Sequence, residues 1–304
     1  MDGIVYIFIL IIFVATVGSR IFGKLCSNII STSSVSSYAL YQIASGTVAC
    51  IFFFISGGFR LQINLVTAIY SLIFALIVAV SVLSILAYKV VNVSMVTILS
   101  STTTIIGTSL LGALVFKESL EFTTVIRILI MLVAVVFTFL DMQRNRAVMG
   151  KRGKITKIGI FILALAMLIT LLSNAASTII TKFYALDIRV VDKNSFFFFT
   201  NVFLIILAAI ALAVDGIINR EHFKAAMTML KPKKLITLSG NTVCSNVVSL
   251  IGVPLLALID ISVYTPIMSA LGIISGVVAS LLFREKLGVF SYIAALIACI
   301  TVVL

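Results

Sequence analysis

Ten apolar runs, each about 20 residues long, constrain the fold of this chain more than any other feature. A helix needs about 20 apolar residues to cross the roughly 30 Å hydrocarbon core of a bilayer. The runs cover approximately residues 4–24, 35–56, 65–87, 94–115, 121–140, 156–181, 195–215, 235–257, 262–283 and 287–304. Most connections between them are short. The sequence therefore predicts an all-α integral membrane protein with ten transmembrane helices.

The composition excludes a water-soluble fold. Of 304 residues, 62% are hydrophobic and 11% are charged, against about 45–50% and about 25% in an average soluble domain. The chain has four well-separated cysteines and one histidine, His222. A histidine-based catalytic or metal site needs more than that. We therefore expect no enzyme activity and no cofactor.

The two halves of the chain resemble each other. The segment Val115–Leu120, VFKESL, matches Leu282–Leu287, LFREKL, at an offset of 167 residues, and an apolar run follows each. The segments 19–24 and 177–182 also match, and each ends in lysine. An aromatic–basic–Glu–x–Leu turn at equivalent places is not expected by chance in so apolar a chain.

The repeat predicts the organisation of the chain. Five helices per copy is an odd number, so the second copy must insert upside down. Transporters built from inverted repeats bind their substrate near the bilayer midplane, between the halves. We predict one repeat over 1–140, a basic linker over 141–155 and a second repeat over 156–304, around a central cavity.

These motifs, with Thr265-Pro266 and the small residues that follow it, resemble the EamA-type ten-helix members of the drug/metabolite transporter superfamily. The resemblance covers nearly the whole chain. It implies transport of small metabolites by alternating access, with helices 1, 3, 4, 6, 8 and 9 lining the cavity. Pro266 would kink the ninth helix. The chain departs from the pattern at Leu99, which stands where the first repeat would carry the matching proline, and in having no tryptophan.

Polar groups inside a bilayer are costly, so each needs a reason. Residues 100–104 place five hydroxyls in the fourth run, and residues 241–249 form a polar stripe on one face of the eighth. Two interpretations stay open for both sets, namely hydrogen bonding between packed helices and contact with substrate. Arg20 either reaches the headgroups or binds a substrate carboxylate. The predicted substrate-binding residues are Thr16, Ser19, Arg20, Ser84, Tyr88, Ser101, Thr104, Asn174, Asn241, Thr242, Ser245, Asn246, Tyr264 and Ser269.

The predicted function is transport of a small polar organic metabolite, an amino acid or a related compound, with export as the expected direction. Two alternatives stay open: a sugar or nucleotide-sugar transporter, and a lipid-handling scramblase or scaffold. The expected partners are the small-molecule substrate and the lipid bilayer, with no nucleic acid, in a monomer or homodimer. The compact chain favours a bacterial inner membrane.

The distribution of charge predicts an orientation. We assigned each of the 22 Lys and Arg residues to one side of the membrane. The side that holds the loops after the odd-numbered runs has 16 of them, and the other side has six. Basic residues accumulate on the cytoplasmic side, which would place both termini outside. The family resemblance implies cytoplasmic termini instead. Both interpretations keep the two termini on one side.

Overall fold

The structure, a computed structural model, describes residues 3–27, 35–81, 108, 112, 114–117, 122–149, 157–187, 189, 192–227, 231–283 and 288–303. Across these residues there are helices and no strands. The main helices are α1 (Gly3–Ser27), α2 (Val35–Ser56), α3 (Leu65–Ser81), α4 (Phe122–Met149), α5 (Lys157–Leu186), α6 (Lys193–Ile218), α7 (Arg220–Met227), α8 (Pro232–Leu258), α9 (Ile261–Leu282) and α10 (Val289–Val303).

Five helical segments in this part of the chain are long and apolar enough to cross a membrane. They are Gly3–Gly23, Val35–Ser56, Lys193–Ile218, Pro232–Leu258 and Ile261–Ala279. Large apolar side chains on them are widely exposed, such as Leu10, Ile51 and Ile210 at 62%, 56% and 57%. Lipid would cover these side chains. The prediction of an all-α fold is confirmed for the described residues, and the five long apolar helices suggest a membrane protein. The count of ten spans and the inverted repeat stay predictions.

The ten helices do not correspond one to one with the ten predicted runs. Helix α7 has only eight residues. It lies in a second basic connection, between the seventh and eighth predicted runs. Most of the run predicted at 94–115 falls outside the described residues.

Both basic connections are more helical than the sequence predicts. Helix α4 continues through 141–149, which holds neither Gly nor Pro before Gly150 and so has nothing to break it. Pro232 begins α8. Proline suits the first position of a helix because the N–H that it lacks would have no helical partner there.

The chain forms two compact units. Unit 1 comprises residues 1–79 and 183–254, and unit 2 comprises 80–182 and 255–304. Each unit combines segments from both predicted repeats. The repeat boundaries at 140 and 156 are a separate prediction that this division does not test.

An aromatic core holds unit 1 together. Phe53 and Phe196 are fully buried, and Phe197 is nearly so. The rings of Phe53 and Phe197 stack at 5.1 Å, and those of Tyr184 and Phe196 stack at 4.2 Å. These three phenylalanines therefore pack in a core, while Phe54 is exposed.

Unit 2 has a smaller core of its own. Helices α4, α9 and α10 pack against one another. Met131 on α4 and Ala270 on α9 are fully buried and lie in one cluster. The rings of Phe137 and Phe290 stack at 5.9 Å between α4 and α10.

A glycine permits the contact between α2 and α6 in unit 1. A Cβ atom at Gly46 would lie 2.7 Å from Cγ1 of Ile205, closer than real Cβ contacts allow. Ile205 has little rotamer freedom within a helix. We predict that Gly46→Ala destabilises the protein by about 1–3 kcal/mol through overpacking.

The matched control is Gly276→Ala in α9, where a Cβ atom would meet nothing within 4 Å. That change should be neutral or stabilise the helix by up to about 1 kcal/mol. Thermal unfolding in detergent measures both. An unchanged or higher unfolding temperature for Gly46→Ala would contradict the packing argument.

Candidate functional site

Four polar side chains from three helices of unit 1 form a hydrogen-bonded group, which we call the polar cluster. Ser19 of α1 donates its hydroxyl to Oδ1 of Asn241 of α8 at 3.1 Å. Its Oγ also lies 3.0 Å from Oγ of Ser245. Asn241 donates Nδ2 to the hydroxyl of Tyr41 of α2 at 3.0 Å. The sequence predicted three of these residues as site residues, and the structure brings them together.

The polar cluster lies inside helices that could span the membrane. Ser19 is eight residues from the end of α1, and Asn241 is nine residues from the start of α8. At 1.5 Å per residue, each lies roughly 12–14 Å from its helix end. Ser245 is exposed, and the other three residues are half-buried. The cluster therefore lies inside candidate spans, with Ser19 four residues from the end of the span Gly3–Gly23, and its polar atoms are partly accessible.

Glycines bring α1 and α8 close enough for these bonds. A Cβ atom at Gly18 would lie 2.8 Å from Sγ of Cys244, and one at Gly240 would lie 2.7 Å from the Phe22 ring. Small residues allow such close approach between membrane helices. The same contacts therefore serve helix packing and place the cluster.

The remaining hydroxyls of the predicted stripe are bonded within their own helices. Thr242 donates to the carbonyl oxygen of Leu238 at 2.9 Å, and Ser249 to that of Ser245 at 3.2 Å. Thr16 on α1 does the same towards Ile12 at 2.7 Å. Such bonds satisfy a hydroxyl locally. They leave Thr16 and Thr242 without a structural sign of a role in binding.

Asn246 differs from its neighbours on α8. Its Nδ2 is buried and has no hydrogen-bond partner. Thr200 on α6, which the sequence analysis did not single out, is 2% exposed and has an unpartnered Oγ1. Unsatisfied buried polar atoms are few in native proteins and call for an explanation.

Other predicted site residues are not members of the polar cluster. Arg20 is exposed beside Ser19, and Asn174 on α5 is half-buried with its carbonyl oxygen bonded by Ser177 and Thr178. Four more, Ser84, Tyr88, Ser101 and Thr104, fall outside the described residues.

Helix α9 in unit 2 carries the remaining predictions. Pro266 lies inside it and is buried. A proline there removes one backbone hydrogen bond. Ser269 is buried and Tyr264 is half-buried, while the buried Thr265 Oγ1 has no partner. Helix α8 contains a second internal proline, Pro254, which the sequence analysis did not single out.

A buried carboxylate joins α2 to α6 in unit 1. Oδ2 of Asp215 accepts the backbone N–H of Ser36 at 2.8 Å and also the Ser36 hydroxyl. Oδ1 accepts Nδ2 of Asn219 at 3.2 Å. Asp215 is 8% exposed. It caps the start of a helix 179 residues away in sequence, where free N–H groups and the helix dipole favour a negative charge.

A buried lysine lies at the end of α5, in unit 2. Lys182 is 6% exposed, and its Nζ lies 3.7 Å from Oδ1 of Asp260 and 5.1 Å from the centre of the Phe116 ring. The sequence analysis noted Lys182 only as the repeat partner of Lys24. Asp260 is the residue before α9, a position where the helix dipole favours an anion.

The connection after α5 holds an ion pair that stays charged. Arg189 donates Nε and Nη2 to the two carboxylate oxygens of Asp187 at 2.9 and 2.7 Å. These bonds lower the pKa of Asp187 to about 2 and raise that of Arg189. A lowered carboxyl pKa stabilises the fold above the unfolded value of about 3.9, and the contribution is lost as pH falls towards 2. The pair therefore does not titrate at physiological pH.

Comparisons with known proteins show the fold but no family. No protein-family model matches the chain, and no curated protein matches it. Twenty-three chains of solved structures match. One of them, described only as "Crystal structure of protein", has a TM-score of 0.62 and 14% sequence identity, and the match covers 97% of this chain and 96% of that one. Likeness at this identity shows a common fold and no function.

The Asp215 cap leads to a stability prediction. Asp215→Ala leaves a buried N–H of Ser36 without its acceptor, which should cost about 1–3 kcal/mol. Asp215→Asn keeps one acceptor oxygen and should cost less. The unfolding temperature and amide exchange at the start of α2 measure the effect.

Asn219→Ala is the control, because it removes a donor to the same carboxylate and leaves the cap on α2 in place. It should cost well under half as much. Equal losses for the two alanine variants would show that the cap on α2 is not the dominant role of Asp215.

Proposed function

We propose that this protein is a membrane transporter of the drug/metabolite type. It moves a small polar organic solute, an amino acid or a related compound, by alternating access. The expected location is a plasma membrane, with a bacterial inner membrane as the first choice. The observation that carries the proposal is the polar cluster, in which Ser19, Tyr41, Asn241 and Ser245 meet inside helices that could span a membrane.

The chemistry of the cluster suits a polar solute. An amide offers both donors and acceptors, and each hydroxyl offers one donor and two lone pairs. The exposed Ser245 leaves part of this capacity accessible. The unpartnered Nδ2 of Asn246 on the same helix adds a donor that a solute carbonyl or carboxylate oxygen could satisfy.

Two internal prolines support movement within single helices. Pro254 in α8 and Pro266 in α9 each remove a backbone hydrogen bond within a helix. Kinks in membrane helices occur at such residues. Together with the internal sequence repeat, they favour alternating access over a static scaffold.

The second candidate is a sugar transporter, because all four residues of the polar cluster are uncharged. Hydroxyl and amide groups recognise a neutral sugar as readily as a zwitterion. The exposed Arg20, adjacent to Ser19, is the observation that places the amino acid first.

We predict that Asn241→Leu lowers saturable flux into proteoliposomes by at least about tenfold, the equivalent of one lost hydrogen bond. Thr242→Val is the matched control, because the Thr242 hydroxyl bonds to its own helix. It should change flux less than about twofold. Folded yield and unfolding temperature, measured for both, separate loss of binding from misfolding. Normal flux in a folded Asn241→Leu protein would mean that the cluster only packs helices.

A second prediction separates the two substrate classes. If Arg20 binds a carboxylate, Arg20→Gln should weaken competition by amino acids by at least about tenfold and leave competition by neutral sugars unchanged. Competition of each class against the transported solute measures this. Equal effects on both classes would remove the carboxylate role.

A further inference from the structure

Helix α7 and the adjoining ends of α6 and α8 form an exposed surface that combines cations with apolar side chains. Its cations are Arg220 and Lys224 on α7 and Lys231 and Lys233 after it, and all four are exposed. Its apolar members are Ile217, Ile218 and Met227, exposed by 82%, 70% and 45%. We call these seven residues the basic interfacial surface. Glu221 is also exposed on α7.

The two neighbouring candidate spans indicate where this surface lies relative to a membrane. Helix α6 ends at Ile218 and α8 begins at Pro232, and both helices are candidate membrane spans. Helix α7 begins two residues after α6 ends. Because α7 follows so closely on a candidate span, we expect it to lie at the boundary between hydrocarbon and headgroups.

Packing fixes which face of α7 is free. Ala226 is 1% exposed and lies in a cluster with the buried Leu40 of α2. Gly216 of α6 faces the ring of Phe223, which is 3.3 Å from where its Cβ would be. Helical geometry of 3.6 residues per turn places Arg220, Lys224 and Met227 within an arc of about 60°, whose centre is about 100° from the centre of the Phe223 and Ala226 face. The inner face of α7 thus holds the helix against unit 1, and the outer face combines two cations with an apolar side chain.

We propose that the basic interfacial surface binds the headgroup of an anionic phospholipid from the adjacent leaflet. The phosphate lies against Arg220 and Lys224, and the acyl chain lies against Ile217 and Ile218. Arginine and lysine are the side chains suited to a phosphate, arginine in a two-pronged geometry. An uncharged partner would leave the cations unused, and a soluble acidic partner would not cover isoleucines that continue the surface of a membrane-spanning helix.

Bound lipid would act on the polar cluster through one residue. Tyr41 packs against the cluster of Leu40 and Ala226, and its hydroxyl accepts the hydrogen bond from Asn241. Lipid that holds α7 in place therefore also holds Tyr41. The lipid site itself does not depend on the proposed transport function.

The test uses the full chain in nanodiscs of phosphatidylcholine with increasing fractions of phosphatidylglycerol. Native mass spectrometry counts retained phosphatidylglycerol, and the unfolding temperature reports its effect on stability. Each basic residue near an anionic surface strengthens binding about fivefold. Arg220→Gln combined with Lys224→Gln should therefore weaken phosphatidylglycerol binding about 25-fold.

Two controls make the result specific. Arg144→Gln combined with Arg146→Gln removes the same charge from the basic end of α4 and should weaken phosphatidylglycerol binding clearly less than the Arg220, Lys224 pair does. Arg220→Lys combined with Lys224→Arg keeps both charges, so it should retain binding and show that the surface tolerates substitution. Equal losses from the two glutamine pairs would reduce the effect to net charge and overturn the proposal. So would unchanged lipid retention in a folded Arg220→Gln, Lys224→Gln protein, which would redirect attention to a soluble acidic partner.

Discussion

The need to satisfy every polar group without water governs this structure. Hydrocarbon offers no hydrogen bonds, so an unpaired polar atom in a membrane helix costs several kcal/mol. The chain meets this need in three ways. Thr16 and Thr242 bond to their own helices, Ser19 and Asn241 bond across helices, and Asp215 bonds to the free start of α2. The positions where the rule fails, such as Asn246 Nδ2, are the most informative about binding.

The contacts between helices decide whether a given polar residue bonds within its own helix, to another helix or to the free start of a helix. Gly18 and Gly240 let α1 and α8 approach, and the polar cluster forms at that approach. The aromatic core around Phe53 and Phe196 fixes α2 against α6 on another face. Tyr41 can reach Asn241 because α2 is held in this way. The cluster therefore helps to pack the helices together. It is also the group of polar atoms on which we base the proposed solute binding.

Helix α7 shows how the ends of membrane helices take part in the architecture. Its inner face packs on α2 through Ala226 and Leu40, near the point where Asp215 caps the same helix. Tyr41 belongs to this packing and to the polar cluster. The packing of α7 and the polar cluster are thus connected through the first two turns of α2.

Sequence alone determined the all-α fold with helices long and apolar enough to span a membrane, because length and apolarity are local properties. The run predicted at 35–56 is helix α2 to the residue, and the stripe on α8 includes Asn241 and Ser245, which lie in the polar cluster. Only the tertiary structure separated Asn241 from its locally bonded neighbour Thr242, brought Tyr41 into the cluster and paired Asp215 with Ser36. The physical reason is that an apolar helix carries little local signal for which of its faces meets which neighbour. That choice depends on close packing between segments far apart in the chain.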